Sequence, residues 1–161
     1  MAKRLALLLT LCLTWSTMTT TTAQATGEGP CSERRFNVTR TMSTDVRIAH
    51  VKALIRCAFT WAGIPEEIDT AYYVASRESG MQPWATNPVA STVCRPYSAN
   101  PYGSCGLFQH LARYWPGRVS AYLHERWFPH TWPHVPVLQA RANVMVTAIM
   151  VKQGGWSPWS S

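Results

Sequence analysis

Four cysteines, Cys31, Cys57, Cys94 and Cys105, constrain this chain more than any other feature once the segment ahead of them is accounted for. The N-terminus carries Lys3-Arg4, an apolar run from Leu5 to Trp15, and a Thr-rich stretch ending in Ala23-Gln24-Ala25. A basic start, a short apolar centre and an A-x-A site make residues 1–25 a secretory signal peptide, with cleavage expected after Ala25. The apolar run is far short of the ~20 residues that a spanning helix needs. The bulky Leu11 argues against a lipid anchor at Cys12, and no later segment is long and apolar enough to cross a bilayer. The expected product is secreted and extracellular, with no stable membrane insertion.

Loss of residues 1–25 removes Cys12 and leaves an even set of four cysteines, which in a small exported chain implies disulfides. Three pairings can be drawn, and Cys31–Cys57 with Cys94–Cys105 is favoured. The second closes a loop of turn formers between Arg95 and Ser104; the first tethers the N-terminal segment to a helix. A zinc site would need a CxxC pair or histidines at ligand spacing. His50, His110, His124, His130 and His134 are instead scattered among aromatic and Pro residues, so no metal and no cofactor is expected.

At 161 residues with 47% apolar content, the chain has the size of one domain and the composition of a globular protein, which excludes a disordered or collagen-like class. Only 14% of residues are charged, yet the formal charge is +7, mostly from Arg. Removal of Lys3 and Arg4 leaves 13 basic against 8 acidic residues, or +5, so the mature surface favours an anionic partner. The basic residues are dispersed and no nucleic-acid-binding motif is present, so nucleic acid is not the expected partner.

Residues 26–43 are polar, with Gly, Pro and Thr, and read as an irregular N-terminal segment ahead of a domain over 44–161. From Thr44-Asp45, apolar Ile48, Val51, Ile55 and Ala58 recur at helical spacing, widened by Leu54, Cys57 and Trp61, until Gly63 and Pro65 stop the pattern. A second helix starts at Pro65-Glu66-Glu67, where Pro and negative charge suit a first turn, and runs to Ser79 with Gly80 as its stop. Residues 81–104 form a long loop. Short helical pieces are expected at 106–114 and 117–127, and a last helix at 137–152 whose wide apolar face makes it the most buried. No alternating strand pattern of useful length and no repeat appears. The fold class is mostly α, a single domain with long loops.

On the second helix Ile68, Ala71 and Ala75 continue at the same spacing to Glu78. A carboxylate thus lies on the core-facing stripe, in a last turn whose dipole opposes negative charge. Desolvation and the dipole both favour the protonated form that a general acid needs. The competing reading is a surface acid paired with Arg77. Downstream, Gly106-Leu107-Phe108-Gln109 reads as a turn carrying an amide suited to a polar ligand, and Trp84, Trp115, Trp127, Trp132, Trp156 and Trp159 offer flat faces for sugar rings.

Four ordered blocks, Glu78 to Ala85, Gly103 to Gln109, Ala142-Asn143-Val144 and Gly155 to Trp159, resemble the lysozyme-like soluble lytic transglycosylase family. The resemblance spans about half the chain. It implies a lysozyme-like fold that cleaves the β-1,4 bond between N-acetylmuramic acid and N-acetylglucosamine in peptidoglycan. It also implies that Glu78 is catalytic and Gln109 lines the substrate groove, with Ser79, Asn143 and Trp156 binding substrate or shaping the site. Two departures stand at the rim of that groove: a longer loop carrying Cys94 and Cys105, and Cys105 where the family has a small Ala before Gly106.

Most glycosidases use two carboxylates. Beyond Glu78 the chain offers Glu125 downstream, while Glu66, Glu67 and Asp69 lie near the far end of the same helix, about 13–18 Å away at ~1.5 Å per residue. One carboxylate suits a bacterial lytic transglycosylase, acting as a monomer on peptidoglycan glycan strands. The alternatives are a lysozyme-type hydrolase (muramidase) and, in another class, a non-catalytic wall-binding module.

Overall fold

In a computed structural model, residues 29–87, 94 and 103–160 are described; the signal-peptide assignment and most of the 88–102 loop lie outside them. The chain is mostly helical, with one small sheet. Helix α1, Glu33–Phe36, is a single turn inside the N-terminal segment that the sequence reads as irregular. Helix α2 spans Thr44–Ala62 and buries Val51, Leu54, Ile55, Ala58 and Phe59, the face that its periodicity marks out. Gly63 ends it in the left-handed conformation at φ 79°, which costs glycine little. Trp61 departs from the expectation, since it stays 40% exposed at the helix end instead of joining the stripe.

A 3-10 turn, Pro65–Glu67, leads into α3, Ile68–Ser79, which packs on α2. Helix α4, Trp115–Tyr122, packs against α5, Ala140–Gly154. Helix α5 starts later than its apolar pattern suggests because Gln139 turns back to the Pro136 carbonyl. Eight consecutive residues of α5, Arg141 to Ala148, are buried, so this helix is the core of the molecule and α2 is its main neighbour. Burial of a Leu- or Val-sized side chain stabilises by about 1.5–3 kcal/mol, and α2 and α5 concentrate that gain in one interface.

The sheet was not expected. Strands β1 (Thr86–Asn87), β2 (Ser104–Cys105) and β3 (His110–Leu111) pair antiparallel in the order β1-β2-β3, with Thr86 opposite Cys105 and Cys105 opposite His110. The piece expected to be helical from residue 106 is the turn between β2 and β3, followed by a 3-10 turn over Ala112–Tyr114.

Both favoured disulfides are present. Cys31–Cys57 ties the N-terminal segment to α2, and Cys94–Cys105 ties the long loop to β2, each with Cα atoms 5.8 Å apart. The N-terminal segment is held a second time by Arg141, whose guanidinium donates to the carbonyls of Pro30 and Trp127. Among the described residues no helix is long and apolar enough to cross a membrane, and no three His, Cys, Asp or Glu side chains cluster as metal ligands.

Candidate active site

Glu78 sits where its spacing puts it, in the last turn of α3 at the end of a stripe whose Ala71 and Ala75 are fully buried. Its side chain keeps 24% of its surface accessible. Arg77 donates to Oε1 from Nη2 at 2.8 Å and from Nε at 3.2 Å; among the described residues Oε2 accepts no hydrogen bond. The Glu78 hydrogen bond, in turn, holds the Arg77 guanidinium above its ordinary pKa. The ion pair weighed as the alternative reading of Glu78 therefore exists, and it leaves one carboxyl oxygen for a ligand.

Beyond Glu78 the chain reverses tightly. Gly80 and Met81 both adopt positive φ, each at 59°, with Met81 buried, and the Gly80 and Met81 amides bond back to Ser76 and Ala75. The Ser79 hydroxyl donates to the Ala75 carbonyl at 2.9 Å and accepts from the Gln82 amide at 3.3 Å. Ser79 is buried and closes the helix end, so its polar atoms point inward. From there the chain reaches Ala85, whose carbonyl accepts from the Gly106 amide and from Gln109 Nε2.

The Gly106–Gln109 turn is held from behind by Asn143. Its Oδ1 accepts from the Phe108 amide at 3.0 Å, and its Nδ2 donates to the carbonyls of Cys105 and Val137 at 3.1 and 3.0 Å. Asn143 is wholly buried and its amide is committed to backbone, so it shapes the turn from a position closed to solvent. Gly106 has φ 77°, and a Cβ there would lie 2.3 Å from Asn143 Nδ2, which excludes any larger residue. Leu107 and Phe108 anchor the turn in the core. Gln109, at φ 47°, is part-exposed, and its amide donates to Gly106 O at 2.9 Å and to Ala85 O at 3.3 Å; its side-chain oxygen is the group that can meet a ligand.

The last block closes the circuit. Trp159 donates from its indole to Phe108 O at 2.8 Å, while its own carbonyl accepts from Arg77 Nη2. Hydrogen bonds thus run from Glu78 through Arg77 and Trp159 to the Gly106–Gln109 turn, and all four sequence blocks meet in one place. Trp156 is half-buried, stacks on Phe59 at 5.9 Å, and donates to Glu67 Oε2 at 2.8 Å, so its indole N–H is occupied inside the protein.

The tryptophans divide. Trp115 is buried and donates to Val135 O, and Trp159 is buried beside Phe108, so both are core residues and not stacking platforms. Trp84 is half-buried under two cations, Arg40 at 5.3 Å and Arg47 at 5.7 Å from its ring. That cluster was not anticipated, because Arg40 and Arg47 lie some forty residues from Trp84 in sequence. It brings the start of α2, with exposed Asp45, to the chain that follows Glu78. Glu125 is exposed in a separate 3-10 turn.

His110 is the other feature that periodicity does not reveal. It is buried against Trp115 and Trp159, with Nε2 on Thr147 Oγ1 at 2.8 Å and Nδ1 on Arg118. Burial, and then the Arg118 charge, push its pKa down to about 3 against a weaker opposing bond to the Asn143 carbonyl. The ring is neutral at ordinary pH, so Nδ1 accepts from Arg118 and Nε2–H donates to Thr147.

No protein-family model, curated protein or solved structure matches the chain.

Proposed function

We propose that this protein is a secreted, peptidoglycan-cleaving enzyme of lysozyme-like fold and lytic transglycosylase type, with Glu78 as its catalytic acid and base. The observation that carries the reading is the convergence of the four blocks around Glu78: a half-shielded carboxyl, clamped at Oε1 by Arg77, is tied through Trp159 to a rigid turn that presents Gln109.

In this reading the proton on Oε2 goes to the glycosidic oxygen as the C–O bond to the departing N-acetylglucosamine breaks, with assistance from the substrate's N-acetyl group. The carboxylate then takes the proton of the muramic acid C6 hydroxyl as that oxygen attacks the anomeric carbon. The product is a 1,6-anhydro sugar, and Glu78 ends protonated as it began. One group serves as acid and then as base, which fits a chain in which Glu67 is engaged by Trp156, and Glu66 and Asp69 stand at the far end of the helix. The positive surface supports attraction to an anionic wall.

Mass analysis of fragments from digested peptidoglycan tests this. Anhydro-muropeptides are expected; reducing ends alone would replace the transglycosylase by a muramidase. If wild type and Glu78→Gln both bound peptidoglycan and neither released fragments, the wall-binding module would replace the enzyme.

A further inference from the structure

A second concave surface lies on the outer face of α2, away from Glu78. It is an open depression of about 590 Å³, lined in part by Arg35, Phe36, Lys52, Arg56 and Trp61. That volume is within the ~300–1,000 Å³ usual for ligand sites. Arg35, Lys52 and Arg56 are all exposed, and among the described residues the lining contains no Asp or Glu. Their internal partners are mostly rings. Arg35 lies over Phe36 at 5.4 Å and Lys52 over Tyr72 at 5.3 Å; Arg56 is held charged chiefly by Tyr72, with a weaker contribution from Asp69. Positive charge from both helices thus converges on the groove, and among the described residues no carboxylate lines it.

The groove also holds aromatic rings. Trp61 is 40% exposed, and a T-shaped contact with half-buried Trp127 at 5.3 Å sets the orientation of its ring. The Cys31–Cys57 disulfide ties the α1 segment, with Arg35 and Phe36, to α2, with Lys52, Arg56 and Trp61, so the groove's two sides are held together. Tyr72, which contacts Lys52 by ring and by a hydroxyl bond to the Lys52 carbonyl, lies on α3 six residues before Glu78, roughly 9 Å of helix rise away and on another face. A ligand in the groove and a ligand at Glu78 therefore occupy separate places.

We propose that this groove is a second binding site for the carboxylate-bearing glycan of the wall itself, holding the polymer while Glu78 acts on another stretch of it. Trp61 offers one flat face to a sugar ring, and two Arg forks with a Lys suit carboxylates on flanking units. A bilayer would call for protruding apolar side chains, and a single-stranded nucleic acid for successive stacking rings; a recessed groove with one exposed Trp offers neither. The proposal rests on the wall-polymer reading for its ligand but not on catalysis for its test.

Pelleting of the full-length mature protein with purified sacculi, stripped of phosphodiester polymers, provides that test, with Glu78→Gln as parent so that substrate is not consumed. Adding Arg35→Gln, Lys52→Gln and Arg56→Gln together should weaken binding about tenfold, and Trp61→Ala alone about fivefold, with unchanged thermal melts. With Glu78 restored, the groove variants should cleave short soluble glycan fragments at the wild-type rate. Equal binding by the triple variant would overturn the proposal. So would parental binding that disappears when phosphodiester polymers are stripped, or tighter binding to single-stranded DNA or anionic vesicles than to sacculi. Failure of the wild type to release fragments would sink the enzymatic reading alone, since pelleting still decides the groove.

Discussion

Two sides of the Gly106–Gln109 turn are built on opposite terms. Behind it, Asn143, His110, Thr147 and Trp159 are buried, and each of their polar side-chain groups is paired within the protein. In front, Glu78, Gln109 and Trp84 are part-exposed, and Glu78 Oε2 accepts no hydrogen bond among the described residues. Buried polar groups are costly unless satisfied, so a satisfied network behind a turn fixes its geometry. Open polar groups in front are left to a ligand. The difference separates residues that hold the turn from residues left open to a ligand.

The largest expected effect comes from the front. Glu78→Gln keeps the shape of the side chain and removes the transferable proton, so release of soluble fragments should fall by about 10²–10⁴-fold, the usual worth of a general acid. The melting transition should barely move, because the group lost is a part-exposed ion pair. A variant that retained most of its turnover would return Glu78 to an ordinary surface pair with Arg77.

Removal of Asn143 should do the reverse. Asn143→Ala leaves the Phe108 amide and the carbonyls of Cys105 and Val137 without their partner and opens a small void; about 3 kcal/mol of stability should be lost, as read by urea denaturation. Activity measured on the remaining folded fraction should fall far less than in Glu78→Gln. A collapse of turnover in fully folded Asn143→Ala would blur the division between the two sides.

The sequence makes the front more legible than the back. The place of Glu78 is legible because a carboxylate interrupts an apolar stripe on a helix whose start and stop are both marked, by Pro65 and Gly80. The disulfides follow from an even cysteine count and a loop of turn formers. Strands of two residues are too short to show a period of two, so β1, β2 and β3 leave no trace and the turn between β2 and β3 passes for a helix start. The partners of Asn143, Trp159 and His110 are 33 to 51 residues away in most cases, and nothing local announces them. Trp61 misleads for a related reason: its spacing fits the stripe, but the helix ends where the core no longer covers it.

His110 gives the back a pH signature of its own. A free imidazole takes up its proton near pH 6.5, whereas His110 holds off until about 3. Between those values the unfolded chain binds a proton that the folded chain refuses, so stability is retained above pH 6.5 and declines as pH falls. The slope from this group is about 1.4 kcal/mol per pH unit. Urea denaturation at pH 7, 6 and 5 should show that decline, and His110→Gln should flatten it while lowering stability at pH 7. An unchanged slope in the variant would mean that His110 is protonated within the folded protein.

The smallest effect tests the boundary itself, because Ser79 adjoins Glu78 in sequence yet sides with the back. Its hydroxyl donates to Ala75 and accepts from the Gln82 amide, which satisfies the helix end just before two successive residues of positive φ. Ser79→Ala removes that hydroxyl without adding bulk, while the Gln82 amide keeps the Ser79 carbonyl as acceptor at 3.2 Å; a loss of about 0.5 kcal/mol is expected. If the hydroxyl only closes the helix, kcat and KM on a soluble glycan fragment should both stay within about twofold of wild type while the melting temperature drops. A rise in KM at unchanged stability would instead place Ser79 in contact with substrate and move the boundary one residue into the helix end.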